Sequence, residues 1–220
     1  MKCYIKDYPR PQFMRTDWEN LNGTWDFGFD DENAGEKEKW YQEFKGDKKI
    51  NVPFTYETKL SGIQDETRHD FIWYHRTINV DGVKLENNRY ILHFEGSDFI
   101  TKVWVNGAYA GSHRGGYARC SFDVTNLVHD GENELTVKVE DSFDTQQPRG
   151  KQRWINENFG CWYVQTTGIW KTVWSEYVPK ISLASVKMTP DLQNAALKLE
   201  YEVAAAEKDL DDDLMITAYR

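Results

Sequence analysis

Apolar and polar residues alternate with a period of two along most of the chain, and that pattern predicts strands rather than helices. Trp25–Phe29, Trp73–Val80, Arg89–Phe94 and Ile100–Val105 all alternate in this way. Asn106-Gly107 follows the fourth run and predicts a tight hairpin, because both central positions of a type I′ turn need positive φ. Tyr109–Ser112 is then the returning strand, and Cys120–Val124 precedes a Thr-Asn-Leu segment. Asp130-Gly131-Glu132-Asn133 reads as a turn before Glu134–Val139, whose alternation is strict. Gly168–Tyr177 reads as one more alternating strand, and Asp30–Lys39 as a charged loop or short amphipathic turn. Strands recur about every ten to fifteen residues with turn chemistry between them, which points to a β-sandwich or jelly roll and away from βαβ units. Two sheets packed face to face place Trp25, Phe94, Trp104, Phe122, Val137 and Trp174 among the core candidates.

The texture changes near Val178-Pro179-Lys180. Aromatic residues become scarce, and Ile181–Met188, Ala196–Val203 and Leu214–Tyr219 predict three further strands with an acidic loop, Glu207–Asp213, before the last. Three strands do not complete a sandwich of about seven. The expected organisation is therefore a jelly roll over 1–178 and, over 179–220, the start of a second sandwich domain.

Composition narrows the function classes. The 220 residues carry a formal charge of −9, which argues against a nucleic-acid groove or an anionic membrane surface. Three widely spaced cysteines, Cys3, Cys120 and Cys161, form neither a disulfide framework nor a zinc motif, and read as free buried thiols of a reducing compartment. The N-terminus has no apolar signal region and no stretch approaches ~18 apolar residues, so the expected location is cytoplasmic.

Chemistry gathers in two non-strand segments. Residues 140–167 hold Asp141, Asp144, Gln146, Gln147, Arg149, Lys151, Gln152, Arg153, Trp154, Trp162 and Tyr163. Carboxylates, amides and guanidinium groups are partners for sugar hydroxyls, and a Trp or Tyr face packs on the C–H side of a pyranose ring. A loop docking on a neighbouring domain is the competing reading. Residues 56–73 bring the adjacent pair His69 and Asp70, which suits an acid/base or metal pair and equally suits local loop hydrogen bonds. Gly111–Arg119 has paired glycines but no phosphate-loop pattern and no following helix, so it reads as a bulge or tight bend. Neither G-x-S-x-G nor H-E-x-x-H occurs.

An ordered series of short motifs then carries a resemblance. Leu21–Phe27, Val52-Pro53-Phe54, Trp73-Tyr74-His75-Arg76, Leu92–Gly96, Val103–Gly107, His113–Tyr117, Phe122–Thr125, Gly131–Val137 and Thr167–Trp170 together resemble the N-terminal sugar-binding domain of glycoside hydrolase family 2, the β-galactosidases, β-glucuronidases and β-mannosidases. The likeness spans about residues 16–178. It implies a galactose-binding-domain-like jelly roll, then an immunoglobulin-like sandwich beginning near residue 180, then a catalytic TIM barrel carrying the two glutamates of a retaining mechanism. No catalytic residue is expected in this chain, and β-galactosidase is the expected activity of the parent protein. The jelly roll is expected to lend loops to the barrel mouth. Asp144 matches the family aspartate that contacts sugar hydroxyls and in some members ligates sodium; Na or Mg is thus the only cofactor the resemblance raises. His69 stands where β-galactosidases carry asparagine in the other sugar-facing loop, with Asp70 beside it. Gln147, Arg149 and Lys151 are expected as substrate contacts or loop anchors, whereas Gln165 replaces a common arginine and implies no charged contact there. The expected partners are a β-glycoside and the downstream barrel; homo-oligomerisation is left open, and no nucleic acid or membrane is expected. A stand-alone lectin-like module and a purely structural or oligomer-forming domain are the alternatives.

Overall fold

A computed structural model describes residues 8–143 and 146–205. Its strands are β1 (Trp18–Asn20), β2 (Gly23–Phe29), β3 (Lys48–Val52), β4 (Phe71–Val80), β5 (Asn88–Phe94), β6 (Ser97–Asp98), β7 (Ile100–Val105) and β8 (Ala108–Arg114). They continue with β9 (Cys120–Asp123), β10 (Gly131–Glu140), β11 (Gly168–Ile169), β12 (Val173–Pro179), β13 (Ser182–Asp191) and β14 (Ala196–Ala204). The α-helix among the described residues is the short Gly82–Asn87, whose first N–H groups are capped by the Asp81 carboxylate.

A six-stranded antiparallel sheet, β3-β2-β4-β10-β7-β8, faces a four-stranded one, β1-β12-β5-β9. The all-β sandwich expected from the alternation is thus the observed fold. Inward positions of both sheets, among them Trp25, Phe27, Leu92, Phe94, Phe122, Val137 and Val173, form one apolar core. Each such side chain contributes roughly 1.5–3 kcal/mol through its removal from water. Asn106 and Gly107 both have positive φ, and Val105 pairs directly with Ala108, so the predicted tight turn is present. The register between β7 and β8 slips by one residue beside Gly111, the bulge expected of that glycine-containing segment.

Two core candidates sit elsewhere. Trp104 and Trp174 are buried, but they point away from the space between the sheets, as their neighbours Val103, Val105 and Val173 point inward. Period-two geometry requires this. Trp104 lies on the outer face of the six-stranded sheet, stacked between Tyr41 and Trp73 at ring distances of 5.3 Å each. Residues 30–47 form the cover there, which is why the outward residues Thr136 and Lys138 of β10 are buried as well. Lys138 keeps its charge satisfied through Asn33 and Glu36 at 2.6 and 2.8 Å. Trp174 lies on the outer face of the smaller sheet, against His93 and beneath Tyr8 and Trp18.

Three smaller differences from the sequence reading follow from pairing. Gly131–Asn133 is strand rather than turn, because it continues the β10 ladder to Val80. The run Gly168–Tyr177 divides into β11, which pairs with β6, and β12, which joins the four-stranded sheet. Cys161 is exposed, while Cys120 is buried as expected; Cys3 lies outside the described residues.

After Pro179 the chain forms a hairpin, β13 with β14, that pairs with neither large sheet. Arg10 donates to the Ala184 carbonyl and Arg89 to the Ser182 hydroxyl, both at 3.2 Å, where the hairpin leaves the sandwich. The third strand expected over Leu214–Tyr219 lies outside the described residues. No helix among the described residues is long and apolar enough to cross a membrane.

Leu92→Ala empties a position with no exposure inside the core and is expected to cost ~2–5 kcal/mol, whereas Leu192→Ala in the exposed hairpin turn should stay within ~0.5 kcal/mol. Urea titration of the two variants checks the difference.

Candidate functional site

The site begins with one pairing. β4 and β10 run antiparallel with Phe71 opposite Glu140, so the segment ending at Asp70 and the segment beginning at Asp141 leave the same edge side by side. The Asp141 N–H donates to the Asp70 carbonyl at 2.9 Å, extending the ladder by one step into the loops. The two segments singled out from sequence are neighbours for that reason.

The first loop, residues 53–70, is built around Tyr56. Its ring is buried against Phe27 and Phe29, and its hydroxyl donates to the Thr67 carbonyl at 3.1 Å and accepts from the His69 N–H at 3.2 Å. The His69 ring stacks on Phe29 at 3.6 Å, with Nδ1 at 2.7 Å from Asp31 and Nε2 at 3.0 Å from the Thr67 hydroxyl. Both ring nitrogens are therefore engaged, one by Thr67 of its own loop and one by Asp31 of the segment after β2, and His69 acts as a local brace. Asp70 forms a two-point ion pair with Arg68, whose guanidinium lies 4.6 Å over the Phe143 ring.

The second loop, residues 141–167, is held by three polar side chains, two of them buried. Asp141 accepts from Gln147 Nε2 at 2.5 Å and from the Thr167 hydroxyl at 3.2 Å, with Arg149 at 3.7 Å. Burial pushes the Asp141 carboxyl above its ordinary range, and the Arg149 charge works against that. Gln152 donates to Asp98 and accepts from the Thr166 N–H, each at 2.8 Å. Arg153 donates to Gln165 Oε1 at 2.9 Å, to Asn158 Oδ1 at 3.3 Å and to the Glu66 carbonyl at 2.5 Å, locking the second loop to the first. Gln165 thus anchors an arginine supplied from elsewhere in its own loop. Beyond Arg153 the tip closes on its own aromatic cluster, Trp154 with Trp162 at 4.6 Å and with Phe159 at 5.0 Å.

The returning end of this loop meets Glu57, whose Oε1 accepts from the Thr167 N–H at 3.0 Å while Oε2 has no hydrogen-bond partner. Burial raises its pKa from 4.5 to about 7. Gly168 follows with φ +90°, and a side chain there would fall 2.2 Å from the Tyr74 hydroxyl.

Between the loops lies a cleft of about 780 Å³, lined by Asp31, Glu66, Arg68, Asp70, Arg153 and Asn156. It offers carboxylate acceptors beside guanidinium and amide donors, the set that a polyhydroxylated ring requires. Of the residues expected from sequence, Asp70 lines this cleft and His69 braces its wall. Gln147 faces Asp141, and Arg149 and Lys151 line a different cavity behind the second loop. Asp144 lies outside the described residues. Glu57 and Asp98 were passed over in the sequence reading, and Asp141 and Arg153 were seen there only as members of a polar loop. Only the tertiary burial of these four distinguishes them from the other acids and arginines. No group of three or more His, Cys, Asp or Glu residues able to hold a metal ion occurs among the described residues.

Residues 18–174 match the model described as glycosyl hydrolases family 2, sugar binding domain. The chain is 25% identical over 212 residues to a β-galactosidase of Thermoanaerobacter pseudethanolicus, covering 93% of this chain and 26% of that protein. It is 29% identical over 144 residues to a β-glucuronidase of Paenibacillus borealis, covering 63% and 23%. A solved β-glucuronidase from an uncultured Clostridium sp. superposes with a TM-score of 0.67 at 25% identity, over 86% of this chain and 34% of that one. The chain thus spans 23% to 34% of the length of these proteins.

The Glu57 carboxyl takes up its proton more readily folded than unfolded. Its contribution is therefore fully present below pH 4.5 and is lost as the pH rises through about 7. Folding stability should fall over that window, by up to ~3 kcal/mol from this group, and Glu57→Gln should flatten the fall. Urea titrations at pH 5 and pH 8 on both proteins test this; an unchanged pH difference in the variant assigns the effect to another group.

Proposed function

The chain belongs to the glycosyl hydrolase family 2 sugar-binding domain family, and on that premise we propose that it is the sugar-binding, non-catalytic portion of a retaining β-glycosidase. The observation that carries this reading is the polar cleft formed where the two loops meet. In this reading the reacting glutamates stand on a separate barrel, where one attacks the anomeric carbon and the other acts as acid and then base. The loops of this chain bind and orient the sugar at the barrel mouth. Asp70 and Arg68, already paired, present an acceptor and a donor to neighbouring hydroxyls, and Arg153 and Tyr56 keep the walls in register. Preorganisation of this kind lowers the cost of ordering at the moment of binding. Asp144, the match to the family aspartate that contacts sugar hydroxyls, is proposed as a further sugar contact. The hairpin after Pro179 is proposed as the first strands of the following sandwich domain. β-Galactoside remains the proposed substrate, with β-glucuronide the competitor that the relatives' names raise.

A structural role for the loops is favoured by one observation: His69 and Arg153 spend their polar atoms on neighbouring protein groups. Kinetics separate the two readings. The full-length gene product should hydrolyse nitrophenyl β-D-galactoside or β-D-glucuronide, and Asp70→Ala should lower kcat/KM at least tenfold, about 1.5–3 kcal/mol of transition-state binding. No turnover on any β-glycoside sinks the glycosidase reading, and an unchanged kcat/KM returns the loops to a structural role.

A further inference from the structure

The second loop divides two cavities. Gln152 and Arg153 are adjacent in an extended segment that exchanges backbone hydrogen bonds with Tyr163, so they face opposite sides: Arg153 the cleft, Gln152 a smaller cavity of about 230 Å³. We propose that this smaller cavity is a second carbohydrate subsite, taking one pyranose ring.

Its floor is Asp98, 3% exposed, with Oδ2 bonded to Gln152 and Oδ1 without a hydrogen-bond partner. Its rim is aromatic. Tyr117 and Tyr163 are 53% and 57% exposed, large rings held at the surface rather than in the core. Trp170 completes the rim, fixed by its Nε1 donating to the Gly116 carbonyl at 2.8 Å and set edge-on to Tyr117 at 6.2 Å. The paired glycines have a task here. Gly115 takes φ +137°, and a methyl on Gly116 would lie 2.3 Å from Asp98 Oδ1, so only glycine lets the chain pass over the carboxyl and present Tyr117.

The charges choose the ligand class. Asp98 opposes an anion, and Arg149 and Lys151 oppose a bare cation. An acceptor facing donors matches a neutral vicinal diol, one hydroxyl donating and its neighbour accepting, while the aromatic faces suit the C–H side of the ring. The volume lies below the ~300–1,000 Å³ of pockets for drug-sized ligands and leaves room for a single ring. The inference rests on the sugar-binding reading for its ligand class and does not require that the parent protein hydrolyse anything.

The test uses the full-length gene product after treatment with a 2-deoxy-2-fluoro-β-galactosyl fluoride, which traps a retaining reaction centre. Methyl β-D-galactopyranoside and methyl β-D-glucopyranoside are then titrated by saturation-transfer NMR. Binding of at least one should persist after trapping and weaken at least tenfold in Tyr163→Ala and in Lys151→Ala, both exposed positions where folding is not at stake. No saturation transfer from the trapped protein, or binding indifferent to both substitutions, overturns the proposal. Binding lost in Arg68→Ala but kept in Tyr163→Ala places the sugar in the cleft and overturns it too. Failure of the fluorosugar to trap, with binding that depends on Tyr163, removes the galactosidase reading and supports this one.

Discussion

The pairing of β4 with β10 is the constraint on which the rest of the candidate site depends. With Phe71 opposite Glu140, two long segments far apart in sequence start and finish at one point, and the Asp141 N–H to Asp70 carbonyl bond continues the ladder between them. A slip of one residue would turn every inward side chain of β10 outward, because the side-chain period is two. The core forbids that slip: Leu135, Val137 and Val139 are all fully buried against the opposite sheet. The position of the cleft is thus set by apolar packing some distance from it.

Both faces of the larger sheet are covered, and this shapes what the outer face does. The inner face meets the second sheet, while the outer face is sealed by residues 30–47 through the Tyr41, Trp104 and Trp73 stack. Burying Lys138 there is tolerable because Asn33 and Glu36 receive its ammonium protons and the Phe71 ring lies 4.9 Å from it. The covering segment opens with a turn closed by the Asn33 N–H to Asp30 carbonyl bond, and within that turn Asp31 reaches His69 and lines the cleft.

Much of the sandwich was legible in the chain, because alternation and turn residues are local signals: Asn106-Gly107 adopts its turn, and the runs at 73–80, 89–94 and 100–105 are strands. Which side of a strand faces the core was less legible. Trp104 and Trp174 look like core residues by size, and only the coverings supplied by residues 30–47 and by Tyr8 bury them from outside. The two loops were legible as polar and aromatic segments, and Asp70 lines the cleft between them. The partition was not legible. Lys151 and Arg153 are two residues apart yet serve different cavities, since the loop folds back on itself between Gln152 and Tyr163. His69 reads as reactive chemistry in sequence and is spent on Asp31, Thr67 and Phe29 in the fold.

The division between spent and unspent polar groups explains how loops this long can hold a defined shape. A structureless loop of more than ~12–15 residues is uncommon in a compact domain, because its ordering entropy must be offset. Here Asp141, Gln152, Arg153 and Tyr56 each bridge segments that are otherwise free to separate, and three of the four do so through partly buried bonds to backbone groups. These bonds fix the frame, and the frame in turn fixes the groups that are not consumed by it: Asn156 in the cleft, and in the smaller cavity Lys151 and one oxygen of Asp98. The two cavities are also linked electrostatically. The Asp141 charge adds to burial in raising the Asp98 carboxyl to about 7, so the carboxylate that holds the loops together also biases the floor of the smaller cavity towards its protonated form.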